Sequence, residues 1–193
     1  METESYYARA ELARLGLAAF GDDVFISRKA SLYNPGAISL GHHVRIDDYC
    51  VLSGGGGITL GNFIHVGCFC ALYGGAGIEM ADGSGLSARV TIYSESDDFS
   101  GASAIGPWFP AEMKPGYVRG RVRIGRLAQI GAASTVMPGV EVGVGAVVGA
   151  HSLVRSSCEP WTVYVGTPAR PLRPRKREFL RWLEGSSFDF PKA

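Results

Sequence analysis

Aliphatic residues return along this chain every six positions, and few architectures tolerate that constraint. Phe20, Ile26 and Leu32 begin a series that restarts at Leu40, Ile46 and Leu52. It restarts again at Leu60, Val66 and Leu72, and at Met80, Leu86 and Ile92, each 20 residues after the last. Downstream the count resumes at a strict six through Ile124, Ile130, Val136, Val142, Val148 and Val154. A hexapeptide period marks a parallel β-helix, in which each step is one flat face of a three-sided prism.

The composition follows from that geometry. Extended segments alternate their side chains, so one aliphatic per step fills the prism axis. Four positions later a second residue faces inward: Val44, Cys50, Ile64, Cys70, Ala128, Ser134, Ala146 and Ser152. Glycine follows the aliphatic at positions 41, 61, 67, 125, 131, 143 and 149, where a corner is expected to need its unusual φ. These features predict an all-β parallel β-helix of hexapeptide repeats.

The rest of the chain is read around this core. Its 193 residues suit a single domain. Residues 5–19 are predicted to form a helix with Ser5 as a cap and Leu12, Leu15 and Ala19 on one face, closing the first coil. Residues 20–165 carry the coils, interrupted at 95–122 by a protruding loop. A loop that long inside a compact domain is usually functional. Residues 166–193 form a tail with a second short helix expected from about 175 to 184.

A net charge of +1 gives no reason to expect nucleic acid, and no apolar run suits a membrane span. The polar start (Met1-Glu2-Thr3-Glu4) lacks a signal-peptide pattern. Cys50, Cys70 and Cys158 occupy inward slots and Cys68 has no partner at metal spacing, so four reduced thiols and a cytoplasmic setting are expected. No metal site is expected.

With these repeats, the chain resembles the hexapeptide-repeat acyltransferases of left-handed β-helix type over nearly its whole length. The left hand is implied by that resemblance, since crossovers are generally right-handed and a period does not reveal its hand. The later coils and the Gly166-Thr167-Pro168-Ala169-Arg170 tail are similar to galactoside and maltose acetyltransferases. Ile46-Asp47-Asp48-Tyr49-Cys50 and the run from Ile92 to Gly101 resemble a surface-polysaccharide branch. That branch includes acyltransferases of nucleotide-linked 4-amino-4,6-dideoxyglucose.

The resemblance implies a homotrimer with active sites between prisms and acetyl-CoA along the later coils. It implies that Ala132 and Ala150 touch the cosubstrate and that Arg170 and Arg173 meet its nucleotide end; Arg155, one step beyond a coil on the same stretch, is placed to assist. Arginine suits phosphate through its planar, always-charged fork. The other reading is that these alanines are simply small corner residues and these arginines a solvated tail.

The general base is open at this level. Where the galactoside enzymes carry histidine, this chain has Glu95. Three readings stand. Glu95 itself is the base, with its pKa raised by burial. Alternatively Asp97 or Asp98 is the base, or binds a sugar amine. Or a histidine of another coil serves, with His65 first, then His151, His42 and His43. Asp48, beside Asp47, either shapes a sugar pocket or solvates a corner, and Trp108 either lines that pocket or anchors the loop to a neighbour. An amine acceptor needs mainly positioning, worth about 7–11 kcal/mol, and a proton acceptor that a carboxylate can supply. The acidic loop therefore fits an amino-sugar acceptor better than a plain hydroxyl, and the resemblance implies N-acyl transfer to a nucleotide-linked amino-dideoxysugar in surface-polysaccharide synthesis. Sugar O-acetylation, antibiotic acetylation and a non-catalytic scaffold are the alternatives. A γ-type carbonic anhydrase would need three zinc-binding histidines, and no histidine pair with suitable spacing follows His65.

Overall fold

Strands of two to five residues stack into three sheets that form the prism walls. The computed structural model describes residues 5–185 and Phe190. One wall starts at Ala19–Phe20 and adds Ile38–Leu40, Ile58–Leu60, Ile78–Met80, Val122–Ile124 and Glu141–Val142. The second starts at Phe25–Ile26 and runs through Val44–Ile46, Ile64–Val66, Gly85–Leu86, Gln129–Ile130 and Val147–Val148. The third holds Ser31–Tyr33, Val51–Ser53, Ala71–Tyr73, Thr91–Tyr93, Thr135–Val136 and Leu153–Val154. All of these pairings are parallel and in register, for example Ile46 beside Val66 and Leu52 beside Leu72. The fold is a left-handed parallel β-helix of six full coils and a partial seventh.

The aliphatic positions of the hexapeptide count are the core. Ile26, Ile46, Leu52, Leu72, Ile92, Val136, Val142, Val148 and Val154 are fully enclosed, and Phe20 and Leu32 pack partly exposed at the first coil. The second inward set is buried as well, from Val44 and Cys50 to Ala146 and Ser152. Its hydroxyls are satisfied internally: Ser134 and Ser152 both donate to the Gly149 carbonyl, at 3.0 and 2.8 Å. Buried polar groups would otherwise be costly. Cys50, Cys68, Cys70 and Cys158 are free thiols, and burial pushes Cys158 up to about 11.

The corner glycines have a different cause from the one the sequence suggests. The seven that follow the aliphatic residues do not adopt positive φ. They are needed because the next coil lies too close. A Cβ on Gly131 would sit 2.5 Å from the Ala150 nitrogen, and one on Gly143 2.7 Å from the Pro160 nitrogen. Left-handed φ values fall elsewhere, at two corners of the coil and often on large residues such as His43, Phe63, Tyr49 and Phe69. Tyr49, Phe69, Arg89, Ala133 and His151 carry them at one corner. That conformation is unfavourable by about 1–2 kcal/mol per residue, and stacking between coils offsets it. Tyr49 and Phe69 stack at 5.0 Å, with Lys29 over the first ring and Arg89 over the second.

Both terminal helices are shorter than expected. The first is one turn, Arg9–Leu12, ended before Gly16 at φ +73°. Ser5 does not cap it, because Ala8 holds that position and its N–H donates to Glu11 Oε2. The segment before it is drawn out instead, with Tyr6 bridging Ser27 and the Tyr7 N–H donating to the Ile26 carbonyl. Leu12 alone of that turn is buried, and it plugs the core. At the other end Thr162–Val165 turns back into an antiparallel strand, Arg170–Pro174, so the expected tail extends the second wall. The second helix begins only at Leu180 and runs Leu180–Gly185. Arg175 holds the preceding chain extended by donating to the Leu127 and Gly145 carbonyls at 2.8 and 3.0 Å. The acidic start at residues 1–4 lies outside the described residues.

The protruding loop leaves the third wall after Tyr93. Its base is a short antiparallel pair, Glu95–Ser96 with Val118–Arg119, after which Val122–Ile124 rejoins the first wall beside Ile78–Met80. The prism therefore continues across the interruption without losing register.

Candidate active site

In-register stacking lines up residues of successive coils on the outer surface of the second wall. Arg45, His65, Gly85 and Gln129 form one such column. Gly85 has no side chain to fill its place, which leaves a gap between His65 on one side and Gln129 on the other. The gap is a recess of about 350 Å³, lined also by Asp47, Cys68, Ser87 and Ala88. Gln129 is pinned by donating from Nε2 to the Gly83 carbonyl at 2.9 Å.

His65 is half-exposed, and its Nε2 lies 2.7 Å from Asp47 Oδ2. Asp47 Oδ1 accepts from Arg45 Nε at 2.6 Å and, at 3.4 Å, from the Tyr6 hydroxyl. Burial pushes the Asp47 carboxyl up, but the bonds from His65 and Arg45 outweigh it and hold the group below the usual carboxylate range. The result is an ionised carboxylate with a donor on each oxygen and an imidazole fixed at the edge of a polar recess.

The corner next to this recess continues down the prism. The Cys68 carbonyl accepts from Arg89 N–H, that of Ala88 from Ala133 N–H, and that of Ala132 from His151 N–H. Cys68, Ala88, Ala132 and Ala150 therefore occupy one small-residue file over four successive coils. At about 4.8 Å per coil the file is about 14 Å long. Thr167 donates to the His151 carbonyl and the Ala169 N–H to that of Leu153, which folds the tail and Arg170 back toward its lower end. Arg155, Arg170 and Arg173 are solvent-exposed.

The acidic loop residues lie elsewhere in the chain. None of them lines the recess. Glu95 pairs with Arg119 at 2.8 Å, accepts from the Tyr117 hydroxyl at 3.0 Å and closes over Gly75. Asp97 pairs with Lys114 at 2.6 Å and accepts from the Gly106 N–H. Asp98 accepts from Ser100 N–H and Oγ, within its own turn. Trp108 stands 94 % exposed in the loop, as Phe109 and Met113 are also exposed. Asp48 is tied to Lys29 at 2.8 Å and to Ser27 at 2.5 Å. His42 and His43 sit at another corner beside Asp22 and Asp23. Among the described residues no group of three or more His, Cys, Asp or Glu side chains could hold a metal ion.

The partnership of His65 with Asp47, and the roles of Gly85, Ser87 and Gln129, were not anticipated from the sequence. A signal for the column existed in the 20-residue repeat, which already places positions 45, 65 and 85 side by side.

No family model matches the chain. It is 39% identical over 101 residues to a dTDP-4-amino-4,6-dideoxy-D-glucose acyltransferase of Escherichia coli, a match covering 52% of each protein. The chain thus spans about half the length of that curated relative. A match to a chloramphenicol acetyltransferase of Escherichia coli is 32% over 95 residues, 44% of this chain and 45% of the other. The solved structure of AntD, an N-acyltransferase from Bacillus cereus in complex with dTDP and 3-hydroxybutyryl-CoA, superposes with a TM-score of 0.90. It is 43% identical and covers 93% of this chain and 95% of AntD. This chain belongs to the hexapeptide-repeat acyltransferase family. Within that family AntD has also been solved with dTDP-4-amino-4,6-dideoxyglucose and coenzyme A, as a variant at a serine. Another AntD variant alters an aspartate ten positions further along.

Two predictions arise for this acyltransferase-family chain. A Cβ at Gly85 would first meet the amide end of Gln129, at 2.6 Å from Oε1. The amide is the flexible end of a side chain and can swing aside by giving up its hydrogen bond to the Gly83 carbonyl, so Gly85→Ala should fold normally yet narrow the recess. We expect a loss of about 10- to 100-fold in kcat/KM with an unchanged circular dichroism spectrum. The second prediction concerns the loop. The Lys114 hydrogen bond, larger than the opposing effect of burial, lowers the Asp97 pKa. A depressed carboxylate contributes order above its unfolded pKa, and that contribution is lost as pH falls through the folded value. Hydrogen-exchange protection factors across residues 97–117 should hold down to about pH 4 and fall below it. Lys114→Met should bring fast exchange at neutral pH.

Proposed function

We propose that this protein is a CoA-dependent N-acyltransferase acting on the amine of a nucleotide-linked amino-dideoxysugar, in the assembly of a bacterial surface polysaccharide. The observation that carries the reading is the small-residue file from Ala150 through Ala132 and Ala88 to Cys68, which ends at the His65 recess. A pantetheine arm laid in that file would run from the basic tail to the imidazole, with its thioester at the recess. Ala132 and Ala150 take the arm close to backbone, while Arg170, Arg173 and Arg155 meet the nucleotide end. Acetyl-CoA is the expected donor.

His65 is the proposed proton acceptor. An incoming neutral amine attacks the thioester carbonyl, and the nitrogen becomes acidic as the bond forms. An imidazole at the attack site can then take its proton. The AntD variants add support for the acceptor pocket. This chain holds a single serine followed ten residues later by aspartate, Ser87 and Asp97. Ser87 lines the recess, whereas Asp97 belongs to the loop. Both could serve one site if the loop of a neighbouring subunit closes over the recess. A homotrimer would meet that condition, with Asp97, Asp98, Asp48 and Trp108 contributing to the acceptor pocket between chains. A cytoplasmic setting fits a CoA donor, and no helix among the described residues is long and apolar enough to cross a membrane.

The likeness to chloramphenicol acetyltransferases supports antibiotic O-acetylation as a second reading. A thiol-release assay with acetyl-CoA separates the two. The acceptors would be dTDP-linked 3- and 4-amino-dideoxysugars, simple galactosides, maltose and chloramphenicol. Release with an amino sugar alone supports N-acyl transfer. Release with hydroxyl acceptors alone overturns it, and no release together with no CoA binding indicates a scaffold. Light scattering of the purified protein tests the trimer.

A further inference from the structure

We propose that Asp47 is a positioning residue that holds His65 in the tautomer with its free lone pair on Nδ1, and that Arg45 enforces this orientation. The consequence for turnover rests on the acyl-transfer reading above, whereas the geometry does not. An ionised carboxylate can only accept hydrogen bonds. The 2.7 Å contact therefore requires a proton on His65 Nε2. In a neutral imidazole the other nitrogen, Nδ1, is then the acceptor.

Arg45 fixes which Asp47 oxygen does what. It stands beside His65 in the strand register and donates to Oδ1 at 2.6 Å, which leaves Oδ2 for the imidazole. The Asp47 main chain is anchored too, since its N–H donates to the Val66 carbonyl at 3.0 Å. The groups facing His65 are Asp47, Arg45 behind it, and Cys68, Ser87 and Gln129 around the recess.

The proton balance then closes. The acceptor nitrogen forms a bond to the thioester carbon and the carbonyl π pair moves to oxygen. His65 Nδ1 takes the proton that the nitrogen loses. Collapse of the intermediate re-forms the carbonyl and breaks the C–S bond. The departing sulfur takes the proton from Nδ1, leaving an amide, free CoA thiol and neutral His65.

Arg45 makes the test sharper than a simple loss of charge. In Asp47→Asn the Arg45 donor still claims the amide oxygen, so the amide NH₂ must face His65. Nε2 is then forced to accept, the proton moves to Nδ1, and the base is lost. Adding Arg45→Met leaves on that side only the long contact from the Tyr6 hydroxyl, which can accept as well as donate, so the amide can turn its oxygen to Nε2 and restore the original tautomer. The experiment records ¹⁵N NMR of the His65 ring alongside steady-state kinetics with acetyl-CoA and dTDP-linked amino sugars.

The expected result is an Nε2–H tautomer in the wild type that becomes Nδ1–H in Asp47→Asn. We expect kcat to fall by at least about 100-fold with KM within about threefold. Asp47→Asn with Arg45→Met should recover at least about tenfold of that loss. An Nδ1–H tautomer in the wild type overturns the proposal even if no variant folds. So does an Asp47→Asn protein with unchanged tautomer, or a double variant no better than the single. If the wild type turns over no amino sugar, the acyl-transfer reading fails while the tautomer still decides the role of Asp47.

Discussion

His65→Ala is expected to reduce kcat by about 10²- to 10⁴-fold, the range for loss of a general base. KM for acetyl-CoA should change little, because the file of Cys68, Ala88, Ala132 and Ala150 that would hold the arm is untouched. The comparison that gives this result meaning is Glu95→Gln. The carboxylate of Glu95, a candidate base by sequence resemblance alone, is engaged by Arg119 and Tyr117 at the foot of the loop. A glutamine keeps an acceptor for Tyr117 and most of the packing over Gly75. Glu95→Gln should therefore retain activity within about tenfold while making the loop more sensitive to proteolysis. If Glu95→Gln is instead the inactive variant and His65→Ala is not, the base lies in the loop and the recess serves only for binding. Steady-state kinetics on the two variants with one amino-sugar acceptor would decide.

Leu72→Ala is expected to have the largest effect on stability. Leu72 is fully enclosed between Leu52 and Ile92, one coil on either side. Truncation leaves a cavity in the prism axis that the neighbours cannot fill, because each is held by its own ladder of backbone bonds. Losses for such changes run about 2–5 kcal/mol. For a domain of this size that corresponds to a fall in Tm of about 10 °C. Leu32→Ala, at the partly exposed first coil, should cost clearly less. Equal losses at the two sites would show that the coils do not share one cooperative core, as a stacked repeat can do. Thermal unfolding followed by circular dichroism checks both.

Most of the fold was legible in the chain because a β-helix is a local code. Which residues face inward depends only on position within the hexapeptide, so Ile46, Cys50, Leu52 and their equivalents were placed without knowledge of any contact. The break at 95–122 was visible for the same reason. The two terminal helices were legible in place but not in extent, since their lengths depend on tertiary partners. The N-terminal segment pairs with the first coil through Tyr6 and Tyr7, and Arg175 keeps its surroundings extended by bonding carbonyls of two other coils. Local periodicity carries no information about either.

The candidate site divides along the same line. The sequence alone determined the coil period, the inward residues, the place of the loop and, through its motifs, the family resemblance. It named His65, the loop acids, the small residues and the tail arginines as separate candidates. Only the tertiary structure decided which of them meet. Residues 18 to 48 apart become neighbours when coils stack, so Asp47 reaches His65, Arg175 reaches Leu127, and Ala132 falls in line with Ala88. Glu95 and Asp97 are turned toward Arg119 and Lys114 by the same stacking and by the path of the loop. The period sets the direction of each side chain, whereas its partners depend on the register between coils and on the course of the segments that leave the repeat.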